Sequence, residues 1–216
     1  MNDDNCETRD LSQVKVASVY QRVTDYVAVG GSVDDVITQL KETQTDFIFT
    51  GFWKWAPCPD SGGEYGYDYR NLKTSVSQIK KEMPEVIFCS AVPAQYLTEG
   101  EMNPETNHPY TKEELEAMAF NPSKWDLPLS PKQIDEIIAM QQREGYYPDL
   151  TNPDFQKLLL SWAEKQIDCG ADAIWIDGLF AAPSIAVRMG VIKSDHPFVN
   201  YSALRKGGRF TSQASR

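Results

Sequence analysis

The sequence predicts an α/β fold with parallel strands, and three observations carry that prediction. Short apolar runs alternate with helix-length amphipathic segments along most of the chain, as right-handed βαβ units do. The run at 173–176 is wholly apolar, as parallel strands covered on both sides are, and the runs at 46–50 and 86–90 read as further strands. The stretch Tyr146–Phe180 reads as a complete helix–turn–strand unit that ends in a carboxylate.

In chain order, residues 1–13 form a polar arm and the domain runs over 14–204. Asp25–Val29 reads as the first strand, preceded by an approach segment and followed by a Gly30-Gly31 turn. Ser32 and Asp35 have capping-box spacing, and Val36, Ile37 and Leu40 share one helical face after them. Asp46–Thr50 is the second strand, followed by the aromatic segment Gly51-Phe52-Trp53-Lys54-Trp55. A helix over 71–83 ends at Pro84, and Val86–Ser90 is the third strand. Tyr96–Leu129 is a long insertion with its own capped helix, marked by Thr111 and Glu114. Ser130-Pro131 opens another helix.

Asn152 and Pro153 then start the helix of the defining stretch. Phe155, Leu158, Leu159, Trp162, Ala163 and Ile167 recur on one face, and Gly170 stops it. Ala173–Ile176 is the fourth strand, with Asp177 at its C-terminal end and Gly178 turning the backbone. A short helix at Pro183–Met189 and a frayed basic tail at 205–216 complete the reading.

Composition narrows the function. A net charge of −10 repels phosphate backbones and disfavours nucleic acid as a partner. Neither a secretory leader nor a membrane-length apolar run is present, so the cytoplasm is the default expectation. Cys6, Cys58, Cys89 and Cys169 show no CxxC spacing, and only His108 and His196 accompany them, which argues against a zinc site. Cys89 and Cys169 read as buried thiols. The fingerprints of dinucleotide-binding and Walker loops are absent, so a nucleotide-binding doubly wound fold lacks its signature.

The segments Asp149-Leu150-Thr151-Asn152-Pro153 and Gly170-Ala171-Asp172-Ala173-Ile174-Trp175-Ile176-Asp177 resemble the region around the fourth strand of TIM-barrel glycoside hydrolases. The α-amylase and α-galactosidase groups carry their nucleophilic Asp at that strand end, and Asp177 is the matching position. The resemblance implies a TIM-barrel-like fold, an O-glycosidic carbohydrate substrate and no cofactor. A complete barrel has eight strands in roughly 250 residues. Only four βα units are recognisable here, so the expectation is an incomplete barrel whose open edges favour self-association.

Glycoside hydrolysis needs two carboxyls, about 5–5.5 Å apart for retention or 6.5–9.5 Å for inversion. Asp177 is the first candidate, as nucleophile or charge stabiliser; its bland alternative is an Asp that caps a turn or pairs with a cation. Asp149 is the nearest candidate partner, or else a loop or helix cap; Asp60, Glu64, Glu99 and Glu101 lie in loops. Trp53 and Trp55 follow the second strand and suit stacking on a sugar ring, but they alternate along an extended segment and face opposite sides. Gln95 and Tyr96 follow the third strand and are candidate partners for sugar hydroxyls. The alternative function is a non-catalytic carbohydrate-binding module, or a truncated barrel that lacks the acid/base partner.

Overall fold

A computed structural model of the chain describes residues 11–124 and 129–179, with isolated positions at 184, 187, 188, 190 and 193–195. Its strands are β1 (Ala17–Val19), β2 (Phe47–Phe49), β3 (Ile87–Pro93) and β4 (Ala173–Asp177). Its α-helices are α1 (Tyr26–Val29), α2 (Val33–Glu42), α3 (Tyr69–Glu82), α4 (Lys112–Met118), α5 (Pro131–Glu144) and α6 (Pro153–Asp168). The strands form one sheet in the order β1-β2-β3-β4. Ala17 pairs with Phe47, and Phe47 with Ile87, in parallel register. The same sense continues into β4, where Asp172 N–H donates to Phe88 O and Ala94 N–H donates to Asp177 O. The sheet is not closed into a barrel: among the described residues β1 and β4 are its edges.

The chain divides into two compact units. The first comprises Met1–Trp53, Pro59–Ala91 and Lys165–Trp175. It holds α2 and α3, whose apolar stripes at Ile37, Leu40, Leu72, Val76 and Ile79 are buried. Ile48 and Phe88 pair in register and therefore lie on one sheet face, both fully buried. The opposite face carries Phe47, Phe49 and Trp175, each half-buried, with the Phe49 and Trp175 rings 4.9 Å apart between centroids. Three carboxylates tie the loops down. Asp46 accepts the Lys15 and Val16 N–H groups, which hold its carboxyl below the usual range. Asp68, fully buried, caps α3 by accepting from Asn71 N–H and also takes the Gly63 N–H. Asp172 accepts the Phe88 N–H and pairs with Lys80.

The second unit comprises Lys54–Cys58, Val92–Glu164 and Ile176–Arg216. Its helices begin where the local sequence dictates. Thr111 and Glu114 form the capping box of α4, and Ser130 and Gln133 that of α5. Asn152 Oδ1 accepts the Asp154 and Phe155 N–H groups and starts α6. Antiparallel bridges, Leu97 to Tyr146 and Ala119 to Pro148, join the segments between these helices.

One strand assignment is corrected. Asp25–Val29 is not a strand: Tyr26–Val29 is one turn of helix, closed by Gly30 in the left-handed region at φ 69°. The pairing to β2 is made instead by Ala17–Val19. The apolar residues that suggested a strand do not reach the core, since Val27 and Val29 are 43% and 82% exposed. The expected helix at 183–189 and the tail at 205–216 fall largely or wholly outside the described residues. Cys89 and Cys169 are buried, as the sequence led us to expect. Among the described residues no helix is long and apolar enough to cross a membrane.

Candidate functional site

Asp177 ends β4, where an apolar run gives way to a turn. Gly178 follows at φ 74°, and a β-carbon there would lie 2.4 Å from Cβ of Gln95. Both backbone shape and space therefore require glycine, and the requirement presses Gln95 against the turn beside Asp177. The Ala94 N–H donates to the Asp177 carbonyl at 2.6 Å and fixes that juxtaposition. The Asp177 side chain is half-buried. Burial pushes its carboxyl above the ordinary carboxylate range, and the Gly178 N–H opposes the shift. Among the described residues no ion pair or side-chain hydrogen bond reaches this carboxylate. A partly dehydrated carboxylate without a cation is a group held ready to take up or share a proton.

The other expected site residues divide. Gln95 is brought beside Asp177, as described. Tyr96 stands next to it, half-buried, with its ring edge-on to Tyr147 at 6.3 Å and against Gly145, where a β-carbon would lie 2.5 Å from the phenol oxygen. Asp149 is buried in the turn that leads into α6. Its Oδ1 accepts both the Thr151 N–H, at 2.9 Å, and the Thr151 hydroxyl, at 2.8 Å. This is the local Asp turn that an Asp two residues before a Thr favours. No hydrogen bond joins Asp149 to Asp177 among the described residues.

Trp53 belongs to the first unit, half-buried, with its indole 5.8 Å from that of Trp175. Trp55 belongs to the second and is 44% exposed. Lys54, between them, is a residue that sequence reasoning missed. Its Nζ donates to both carboxylate oxygens of Glu101, at 2.8 and 2.9 Å, and sits 3.7 Å from the ring centre of Trp162. The two side chains are 2% and 5% exposed. Burial pushes the Glu101 carboxyl up, and the Lys54 ammonium opposes that shift. In an extended segment residues two apart share a face, so the expectation that Trp53 and Trp55 face opposite sides does not follow from their spacing, which instead puts Lys54 on the other side from both. Nothing local signals that it faces inward, because Glu101 lies 47 residues away.

Among the described residues no group of three or more His, Cys, Asp and Glu side chains is placed to hold a metal ion. No family model, curated protein or solved structure matches this chain.

Two expectations follow from these carboxylates. In the unfolded chain Asp177 titrates near ~3.9, whereas in the folded chain its pKa is higher, so the folded state binds this proton more tightly. Ionising it therefore lowers stability as pH rises through that window, and the loss is complete above the folded value. Asp177→Asn should unfold at higher urea than the parent at pH 7, with the advantage shrinking as pH falls toward 4. A difference independent of pH would mean that burial does not set this group's titration.

Lys54→Met leaves a buried carboxylate without its cation and should cost about 3–5 kcal/mol in urea unfolding. Lys54→Met combined with Glu101→Leu should cost much less than either single change. Additive losses would show that the two charges do not depend on each other.

Proposed function

We propose that this chain is a glycoside-hydrolase-like protein acting on O-glycosidic bonds, with Asp177 as nucleophile or charge stabiliser at the anomeric carbon. The observation that carries the reading is Asp177 itself: a half-buried carboxylate, without a cationic partner among the described residues, at the C-terminal end of a parallel strand. That end of the strands is where α/β proteins place their chemistry. Four parallel strands in sequential order are consistent with one half of an eight-stranded barrel, and so with the TIM-barrel-like architecture that the sequence resemblance implies. Gln95, held beside Asp177, supplies an amide suited to a sugar hydroxyl.

In a retaining reaction a carboxylate oxygen of Asp177 bonds to the anomeric carbon as the bond to the departing sugar oxygen breaks. A second carboxyl gives that oxygen its proton, and water then releases the sugar from Asp177. In an inverting reaction water attacks directly. Asp149 remains the nearest candidate in sequence for the second carboxyl, but its Oδ1 is already committed to Thr151. That commitment favours the second reading, a carbohydrate-binding or truncated barrel module that keeps one carboxylate and lacks the acid/base.

Asp177→Asn should reduce glycosidase turnover by at least about a thousandfold on a panel of aryl glycosides, with the circular dichroism spectrum unchanged. Such a change removes the reacting group and not merely a binding contact. Turnover equal to the parent's would exclude Asp177 as the reacting group. No detectable turnover by the parent, with sugar binding retained, would favour the binding-module reading.

The two open edges also support self-association. Among the described residues β1 and β4 are edge strands whose outer sides pair with no other strand, and Val19 on β1 is 68% exposed. Light scattering on the purified chain should give a mass at or above the dimer. A stable monomer would show that the edges are otherwise protected.

A further inference from the structure

The second unit contains a cleft that plays no part in the reading of Asp177. It has about 190 Å³ of space and lies between the segment 103–110, α4 and the first turns of α6. That volume is below the roughly 300–1,000 Å³ of pockets for drug-sized ligands and suits a single small ring.

Its walls are built rather than merely adjacent. The segment 101–110 folds back on itself: Asn103 N–H donates to His108 O, and Tyr110 N–H donates to Glu101 O, both at 2.8 Å. Met102 and Pro109 form an antiparallel bridge between those bonds. Glu101, at the root of this hairpin, is the residue fixed by Lys54. On the facing side, Asp154 and Lys157 project from the first two turns of α6.

The chemistry of the lining is specific. Its apolar lining includes the exposed Ala117 and the buried Met118. Around it stand the carboxylates of Glu105, Glu114 and Asp154. The Lys157 ammonium donates to Glu105 at 2.8 Å and lies 3.9 Å from Asp154. One oxygen of Glu114 is used by the Thr111 N–H, at 2.7 Å. Half-buried Tyr110 contributes a phenol whose hydroxyl makes no hydrogen bond among the described residues. Burial, and then the charges of Asp154, Glu114, Glu105 and Glu101, push that phenol up to about 12. It therefore stays protonated at neutral pH and keeps a proton to donate.

The lining is thus rich in acceptors, holds a few fixed donors and has an apolar part. Phosphorylated ligands are repelled by the carboxylates. A metal ion would have to displace the Lys157 ammonium from between Glu105 and Asp154. A neutral ring whose hydroxyls donate to the carboxylates, with its C–H groups against Ala117 and Met118, matches the chemistry of this lining.

We propose that this cleft is a binding subsite for one neutral sugar ring, with Asp154 and Tyr110 as its principal hydrogen-bonding side chains. The choice of a sugar rests on the carbohydrate reading of the chain; the location of the cleft and its lining do not.

The test is an NMR titration of the ¹⁵N-labelled full chain with methyl glycosides of glucose, galactose and mannose, and with glucosamine and calcium chloride as separate arms. The expected result is saturable amide shifts confined to 103–118 and 153–157 with at least one neutral sugar. Asp154→Ala and Tyr110→Phe should each raise the apparent Kd about tenfold or more, as losing a hydrogen bond to a charged or buried group does. The rest of the spectrum, unchanged, reports that each variant is folded. Three results would overturn the proposal: no saturable shift with any neutral sugar, shifts with glucosamine or calcium alone, or shifts around Asp177 that survive both variants. The last would leave the reading of Asp177 standing, whereas cleft binding in a chain without turnover would separate the two claims in the opposite direction.

Discussion

The backbone pairing of β3 is the interaction on which the rest of the structure depends. All seven of its residues are buried, and it lies between β2 and β4 in the sheet. A buried strand has no water to turn to, so each of its N–H and C=O groups needs a protein partner. Those partners fix the neighbouring segments. Gly51 N–H donates to Cys89 O, Ala91 N–H to Phe52 O, and Phe88 O accepts from Asp172 N–H. The Asp172 side chain then accepts the Phe88 N–H and pairs with Lys80 of α3, so one residue ties a strand start to both its neighbour and a helix. Because the strands are parallel, their C-terminal ends lie at the same end of the sheet. The position of Asp177 is a consequence of that geometry.

Two buried carboxylates show what different surroundings do to the same chemical group. Glu101 is more deeply buried than Asp177, yet it accepts two charge-assisted bonds from a lysine that an indole also contacts. Its cost of dehydration is offset, and it serves to hold a loop. Asp177 carries a smaller cost that no cation offsets among the described residues. Charges left in that condition are concentrated where proteins perform chemistry, because structural roles are served better by a paired group or an uncharged one. Asp149 represents a third case. One of its oxygens, Oδ1, is satisfied by the next turn of its own chain.

Features set by a few consecutive residues were the legible ones. The starts of α2, α4, α5 and α6 are written in Ser32, Thr111, Ser130 and Asn152, whose side chains reach N–H groups two or three residues away. The helix–strand unit ending at Asp177 was equally clear, because a regular apolar stripe and an uninterrupted apolar run adjoin. β1 was misplaced because three residues are too few to show a period, and Tyr26–Val29 is apolar without being buried. The Asp149 turn matches the loop or helix cap that was the alternative reading of that residue, and its Thr two positions on is the local signal for it. The Lys54–Glu101 pair and the cleft beyond it were not readable. They arise from contacts between segments 47 or more residues apart, and no local pattern encodes such distances.

The hairpin at 101–110 is buried at its root and exposed at its tip, where Glu105 pairs with Lys157. Glu101 is clamped by Lys54, whereas residues 104–109 are exposed. Extending a loop that is already closed adds little entropy, since the cost grows only with the logarithm of its length. The tip is therefore a place where related sequences can gain or lose residues, or change their chemistry, without loosening the anchor. Variation there would alter what the neighbouring surface presents to the outside, while selection acts on the root through stability. The architecture separates a segment free to diversify from the pair of charges that keeps it in place.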